Sequence, residues 1–210
     1  MDAGRIAQLL QPFAPPLTSA QFENISTYID ILLRWNARVN LTAVREPEAI
    51  VTRHFGESLF AAARLFPAGS ELSAQPHVVD VGSGAGFPGL PIKIWAPPIH
   101  LTLIESNQKK ATFLREVARR LTLTDVDVVA ARAEDFPPAA GDVVTLRAVE
   151  RFDRALPVAV RLARVGGRVA GLVGRSQVER ARELAAAVRW EDPVAIPQSS
   201  SRVLLIGTWG

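Results

Sequence analysis

The chain contains no cysteine, which at once excludes disulfide frameworks, zinc–thiolate sites, iron–sulfur clusters and thiol nucleophiles. Histidine is nearly as scarce, with single copies at His54, His77 and His100, too scattered for a metal triad. No window approaches the roughly 18 consecutive apolar residues of a membrane-crossing helix, so no membrane partner is expected. The first ten residues lack the basic-then-apolar layout of an export signal. The expected compartment is the cytoplasm. Lysine is rare too: the 24 basic residues comprise 21 arginines and 3 lysines. Arginine forks suit bidentate phosphate contacts, although a compositional bias of the genome explains the preference equally well.

What is present is ordinary globular composition. The 210 residues are 48% hydrophobic and 21% charged, enough for one domain, or one with a small extension, around a proper core. The formal net charge is only +3, and it is uneven. Residues 1–75 carry 6 basic and 7 acidic side chains, whereas residues 76–210 carry 18 and 14. The later surplus suits a polyanion without demanding one.

From Thr18 or Ser19 as N-cap, Phe22, Ile25, Ile29, Leu32 and Leu33 recur on one helical face. Pro47 is placed to start another helix, running through Ile50 and Phe55 towards Leu65. Residues 1–75 therefore read as a helical extension, with residues 68–76 as linker. The periodicity then changes. β-rich runs at 78–81, 101–104, 126–130, 142–146, 168–173 and 203–206 are separated by helical patterns, among them 111–121 and 178–188. A further strand is placed between Trp190 and Ile196. This alternation predicts an α/β fold over residues 76–210, a parallel, doubly wound sheet with helices on both faces.

The most informative segment is Val78-Val79-Asp80-Val81-Gly82-Ser83-Gly84-Ala85-Gly86-Phe87-Pro88-Gly89. Strand, glycine turn and helix start follow in order, with Pro88 read as a first-turn proline. In open α/β sheets ligands bind beyond the carboxyl ends of the strands. Glycines there let the backbone turn sharply and approach a ligand with no Cβ in the way. A dinucleotide fingerprint would read G-x-G-x-x-G. Gly82 and Gly84 match it, but the third glycine is Gly86, and Phe87 fills the last fingerprint position. The loop resembles instead the D-x-G-x-G-x-G turn of S-adenosylmethionine-dependent methyltransferases, whose cofactor carries no phosphates. Glu105 ends the next strand 23 positions after Gly82, close to the approximate 20-residue interval of a ribose-binding acid. Ala133 and Glu134 follow the third strand, where methyltransferases often set the adenine.

Together these pieces resemble one family, the RsmG (GidB) methyltransferases, which methylate guanine N7 in bacterial 16S ribosomal RNA. The resemblance runs from about Tyr28 to Val173. Its marks are Arg34-Trp35-Asn36, Asn40-Leu41-Thr42, Arg53-His54-Phe55 and Glu57-Ser58, then the glycine loop through Leu90-Pro91. Leu103-Ile104-Glu105-Ser106, Lys109-Lys110, Phe113-Leu114, Glu116, Arg132-Ala133-Glu134 and Arg147-Ala148-Val149 complete them. Leu146 stands where the family often has serine, and Val173-Gly174 where it often has lysine-glycine. The resemblance implies a Rossmann-like sheet with S-adenosylmethionine as cofactor. Its site would draw on the loop residues Asp80, Gly82, Gly84, Gly86 and Phe87, with Glu105 at the ribose and Ala133-Glu134 at the adenine. Arg147 would lie beside cofactor and entering base.

Guanine N7 offers a lone pair and has no proton to lose, so its methylation needs no general base, and positioning carries the catalysis. No catalytic acid or base is expected. Arg147 is the candidate for orienting the guanine, since arginine donors match O6. Lys109, Lys110 and Arg132, near the cofactor end of the sheet, are candidate contacts to RNA phosphates. The partner expected is 16S ribosomal RNA or the small ribosomal subunit, met by a monomer. His54 reads as structural, hydrogen-bonded to a neighbouring element, while His77 and His100 read as surface positions opening strands. Tyr28 and Trp35 read as packing. The rivals are a methyltransferase acting on another RNA, a nicotinamide-dependent oxidoreductase, and a non-enzymatic RNA-binding protein. Phe87 disfavours the oxidoreductase, and the detailed loop disfavours a plain RNA binder.

Overall fold

A computed structural model describes residues 3–69, 75–148 and 151–210. Helices α1 (Ala3–Leu10) and α2 (Ser19–Asn36) open it. Thr18 caps α2 reciprocally: its hydroxyl accepts the Gln21 N–H at 3.3 Å, and Gln21 Oε1 accepts the Thr18 N–H at 2.8 Å. Ile25, Tyr28, Ile29, Ile31 and Leu32 form the buried face, and Phe22 and Leu33 lie half-buried at its margin. Helix α3 (Pro47–Ile50) starts at Pro47 and widens into a π-helical stretch, Val51–Gly56, before α4 (Glu57–Leu65). The helix expected from Pro47 to Leu65 is thus continuous, with one wide turn. Of the expected linker, residues 70–74 lie outside the described residues.

The strands are β1 (His77–Val81), β2 (His100–Ile104), β3 (Val126–Val129), β4 (Gly141–Arg147) and β5 (Ala163–Gly174), then β6 (Val188–Trp190), β7 (Val194–Ala195) and β8 (Arg202–Trp209). Their order in the sheet is β3-β2-β1-β4-β5-β8-β6, with β7 also on β8. The first five are parallel, and β8 runs antiparallel to its neighbours. Helices α5 (Gly89–Trp95), α6 (Gln108–Arg120), α7 (Phe152–Leu162) and α8 (Val178–Leu184) connect or flank them. The doubly wound α/β sheet is therefore present, extended by antiparallel strands. β7 returns to β8 through a connection too short for the crossover that parallel pairing requires.

Side chains alternate across the sheet. Val78, Leu101, Leu103, Val143 and Leu172 face the core shared with α2, α4, α5 and α6. Val79, Val81, Ile104, Val144 and Leu146 face the core shared with α7 and α8. Helix α7 carries Pro157 in its interior, which breaks the helical pattern of its sequence. Two local expectations differ in the structure. Val188 begins β6 instead of ending α8. The strand expected between Trp190 and Ile196 is two short ones, separated by a segment containing Pro193, which has no N–H for a ladder.

Candidate active site

The reversal of strand order lies between β1 and β4, and the loops beyond β1, β2 and β3 frame an open cleft of about 230 Å³. Gly82, Glu105, Arg132, Ala133 and Glu134 line one part, with Arg151 and Arg154 of the α7 region opposite. Gly82 is exposed, and its φ of 67° is a left-handed conformation that favours glycine. Glu105 is 7% exposed, so it is no solvated strand end. Its Oε2 accepts the Gly84 N–H at 2.9 Å and its Oε1 the Asn107 N–H at 2.7 Å. The carboxylate thereby ties the glycine loop to the start of α6 and keeps lone pairs for further donors. The turn at Ala133–Asp135 is fixed from below, where Arg161 Nη2 donates to the Ala133 and Glu134 carbonyls at 3.0 Å each.

The other loop residues stand behind this surface. Asp80 is fully buried, its Oδ1 accepting the Thr145 hydroxyl at 2.7 Å. Burial pushes its pKa up to about 6, against the Thr145 and Ser83 hydroxyls and the Gly89 N–H, which favour the ionised form. The carboxylate is enclosed and braces β1 against β4. Gly84 serves through its N–H on Glu105. At Gly86 a Cβ would overlap the Tyr28 hydroxyl and come within 2.6 Å of Leu90 Cδ1, so this glycine permits packing. The Tyr28 hydroxyl donates to the Ala85 carbonyl. Phe87, 7% exposed, stacks on Tyr28 at 5.4 Å and on His54 at 4.8 Å, with Phe55 edge-on at 5.1 Å. Helix α2 and the π-helical stretch hold the loop through this aromatic cluster. Pro88 precedes α5 as its cap instead of lying in its first turn.

Arg147 ends β4, its guanidinium 5.9 Å from the centre of the Phe87 ring. Its Nη2 donates to the Arg53 carbonyl at 2.6 Å and to Glu57 Oε2 at 3.2 Å. Glu57 is also ion-paired with Arg202 of β8. Burial pushes the Glu57 carboxyl up from its ordinary value, and the guanidinium groups of Arg147, Arg202 and Arg53 oppose that rise. Burial pulls Arg147 down to about 10, leaving it cationic at neutral pH. Beside this cluster, between the ends of β4 and β5, lies a second hollow of about 140 Å³. Leu146, Phe152 and Val173 give it apolar walls, and Arg147, Gln177 and Arg202 give it donors.

His54 is structural in its surroundings: Nε2 lies 2.8 Å from the Thr42 hydroxyl, and the buried Nδ1 has no partner among the described residues. Burial, reinforced by Arg147, Arg53 and Arg202, lowers its pKa to about 3. His77 and His100 do open strands but are half-buried, not plain surface positions; their rings stack at 4.4 Å. His77 bonds the Thr102 hydroxyl and His100 bonds Asp127, both at 2.8 Å. Lys109 is exposed and Lys110 half-buried in the first turn of α6, beyond the Asn107 cap, whereas Arg132 lies on the cleft itself. Arg151 and Arg154 escaped sequence reasoning because α7 did. The Glu57–Arg202 pair left no sequence signal, since it depends on the β5–β8 pairing.

Sheet order, glycine loop and cleft together define a Rossmann-like methyltransferase fold. A SAM-dependent methyltransferase from Aquifex aeolicus superposes with a TM-score of 0.60 at 16% identity, covering 81% of this chain and 97% of that one. A SAM-dependent O-methyltransferase from Thermotoga maritima gives 0.61 at 15% identity, covering 87% and 71%. Within that class the chain belongs to the GidB family, rRNA small subunit methyltransferase G, whose model matches residues 21–202. The ribosomal RNA small subunit methyltransferase G of Roseiflexus castenholzii is 41% identical over 90% of this chain and 84% of its own length. That of Chloroflexus aggregans is 38% identical over 92% and 84%, and that of Bacillus cereus strain AH187 34% over 85% and 75%.

Proposed function

We propose that this protein transfers a methyl group from S-adenosylmethionine to N7 of a specific guanine in 16S ribosomal RNA, in the cytoplasm. The observation that carries the reading is the pairing of two hollows beyond the carboxyl ends of the parallel strands. Arg151 borders the cleft at the glycine loop, and its neighbour Phe152 borders the hollow at Arg147. The residues of the cleft suit a nucleoside cofactor. Gly82 leaves the backbone open to approach, Glu105 has lone pairs for two ribose hydroxyls, and Ala133-Glu134 present a fixed turn to an adenine edge. When bound, S-adenosylmethionine supplies a methyl carbon activated by its sulfonium.

The chain then has to hold guanine N7 in line with that carbon at near-attack distance. Arg147 orients the base through O6, between the apolar walls of Leu146 and Phe152. No side chain has to take a proton, because N7 carries none. Lys109, Lys110 and Arg132 hold neighbouring phosphates. Residues 1–75 act with residues 76–210 as one site, since Tyr28 bonds the glycine loop and Glu57 bonds Arg147. Calorimetric titration tests the cofactor assignment: S-adenosylmethionine should bind and NAD should not. Binding of NAD in its place would favour the oxidoreductase.

A further inference from the structure

An arginine that reads guanine ordinarily directs two parallel N–H groups at O6 and N7. For a guanine methylated at N7 that contact is self-defeating, because it occupies the lone pair that must attack the methyl carbon. A guanidinium has two forked edges, Nε/Nη2 and Nη1/Nη2, and both include Nη2. Arg5 shows such a fork within this protein, with Nε and Nη2 on the Glu48 carboxylate at 2.7 and 2.9 Å. Arg147 cannot form one. Its Nη2 is already engaged twice, at 2.6 Å to the Arg53 carbonyl and 3.2 Å to Glu57 Oε2. Glu57 is itself held by Arg202, and its side chain is only 3% exposed. Nε and Nη1 remain as separate single donors.

We infer that Glu57 is a positioning residue that, with the Arg53 carbonyl, limits Arg147 to a single-point contact on guanine O6 and so leaves N7 free for methylation. The inference rests on the guanine-N7 reading above and specifies how the base is held. It also gives the N-terminal helices a role in specificity, because Arg53 and Glu57 both belong to them.

The test compares binding of RNAs altered at the target base, with wild type and Arg147→Ala. Unmodified RNA first reports, from the site of chemical cleavage at N7-methylguanine, which guanine is modified. Methylation at another atom would fail at that step, independently of the binding comparison. With 7-deazaguanine at that position the RNA should bind within twofold of the normal RNA. With 2-aminopurine, which lacks O6, it should bind roughly tenfold more weakly. Arg147→Ala should lose about the same factor on guanine and nothing more on 2-aminopurine. A tenfold loss with 7-deazaguanine, or losses at O6 and Arg147 that multiply, would overturn the single-point contact. Glu57→Ala, which releases Nη2, should make the 7-deaza substitution costly, by three- to tenfold, and lower kcat without raising KM. Glu57→Gln, which keeps an oxygen against Nη2, should leave the 7-deaza and normal RNAs bound equally. Equal binding of both RNAs by a folded Glu57→Ala protein refutes the role of Glu57. Should that variant not fold, Glu57→Asp, whose shorter side chain withdraws from Nη2, takes its place with the same expected 7-deaza cost, and equal binding of both RNAs by it refutes the role of Glu57.

Discussion

Replacing His54 with glutamine separates structure from chemistry at the residue most easily mistaken for a catalytic base. In the folded protein burial and three surrounding arginines lower its pKa to about 3, whereas an unfolded histidine titrates near 6.5. Between these values the unfolded chain binds a proton that the native state refuses, so stability falls as pH falls. From pH 7.5 to 5 the loss through this one group is about 2 kcal/mol. The variant does not titrate there. At pH 7.5 it should be less stable by about 1 kcal/mol, for the lost stack on Phe87. At pH 5 the order should reverse, since other titrating groups such as Asp80 are common to both proteins. Urea unfolding at pH 7.5, 6 and 5 measures the difference, while single-turnover methylation at pH 7.5 should change little. Parallel stability profiles would refute the buried neutral imidazole.

Gly82→Val should abolish S-adenosylmethionine binding, because the φ of 67° strains a β-branched residue and the side chain enters the cleft. Glu105→Ala should weaken binding by about 1.5–3 kcal/mol, and calorimetry showing wild-type affinity for both variants would remove them from the site. Tyr28→Phe keeps the stack on Phe87 but strands the Ala85 carbonyl, so denaturant unfolding should show a loss of about 1–3 kcal/mol. An unchanged midpoint would mean that the loop does not depend on that bond. Replacing Lys109, Lys110 or Arg132 by alanine should reduce the salt slope of RNA binding by about one per lost phosphate contact. An unchanged slope in all three variants would return them to an ordinary solvated face.

The parallel strands were legible because each is a short β-rich run bounded by turn residues, and the cleft because Gly82, Glu105 and Ala133-Glu134 lie in the loops that follow successive strands. Identity alone did not reveal depth. Asp80 and Glu105 are both acids near the carboxyl ends of strands, yet Asp80 points into the sheet's core and Glu105 reaches the cleft. Phe87 likewise belongs to an aromatic cluster built from α2 and the π-helical stretch, elements distant from it in sequence. Helix α7 was hidden by Pro157, and with it Arg151 and Arg154. Direction was hidden in β8, since a strand's composition does not say whether its neighbour is parallel. The Arg147–Glu57–Arg202 network needs three distant segments to meet, and periodicity carries no trace of such a meeting.

Methyl transfer to guanine N7 leaves a chemical mark in the RNA product that can be read base by base. Small-subunit RNA lacking the modification is incubated with the protein and labelled S-adenosylmethionine, then reduced and treated with aniline. N7-methylguanine is labile under that treatment, so the RNA should break at a single guanine, in proportion to the label incorporated. Label incorporated without a break, recovered on an exocyclic amine or a ribose hydroxyl, would contradict transfer to N7.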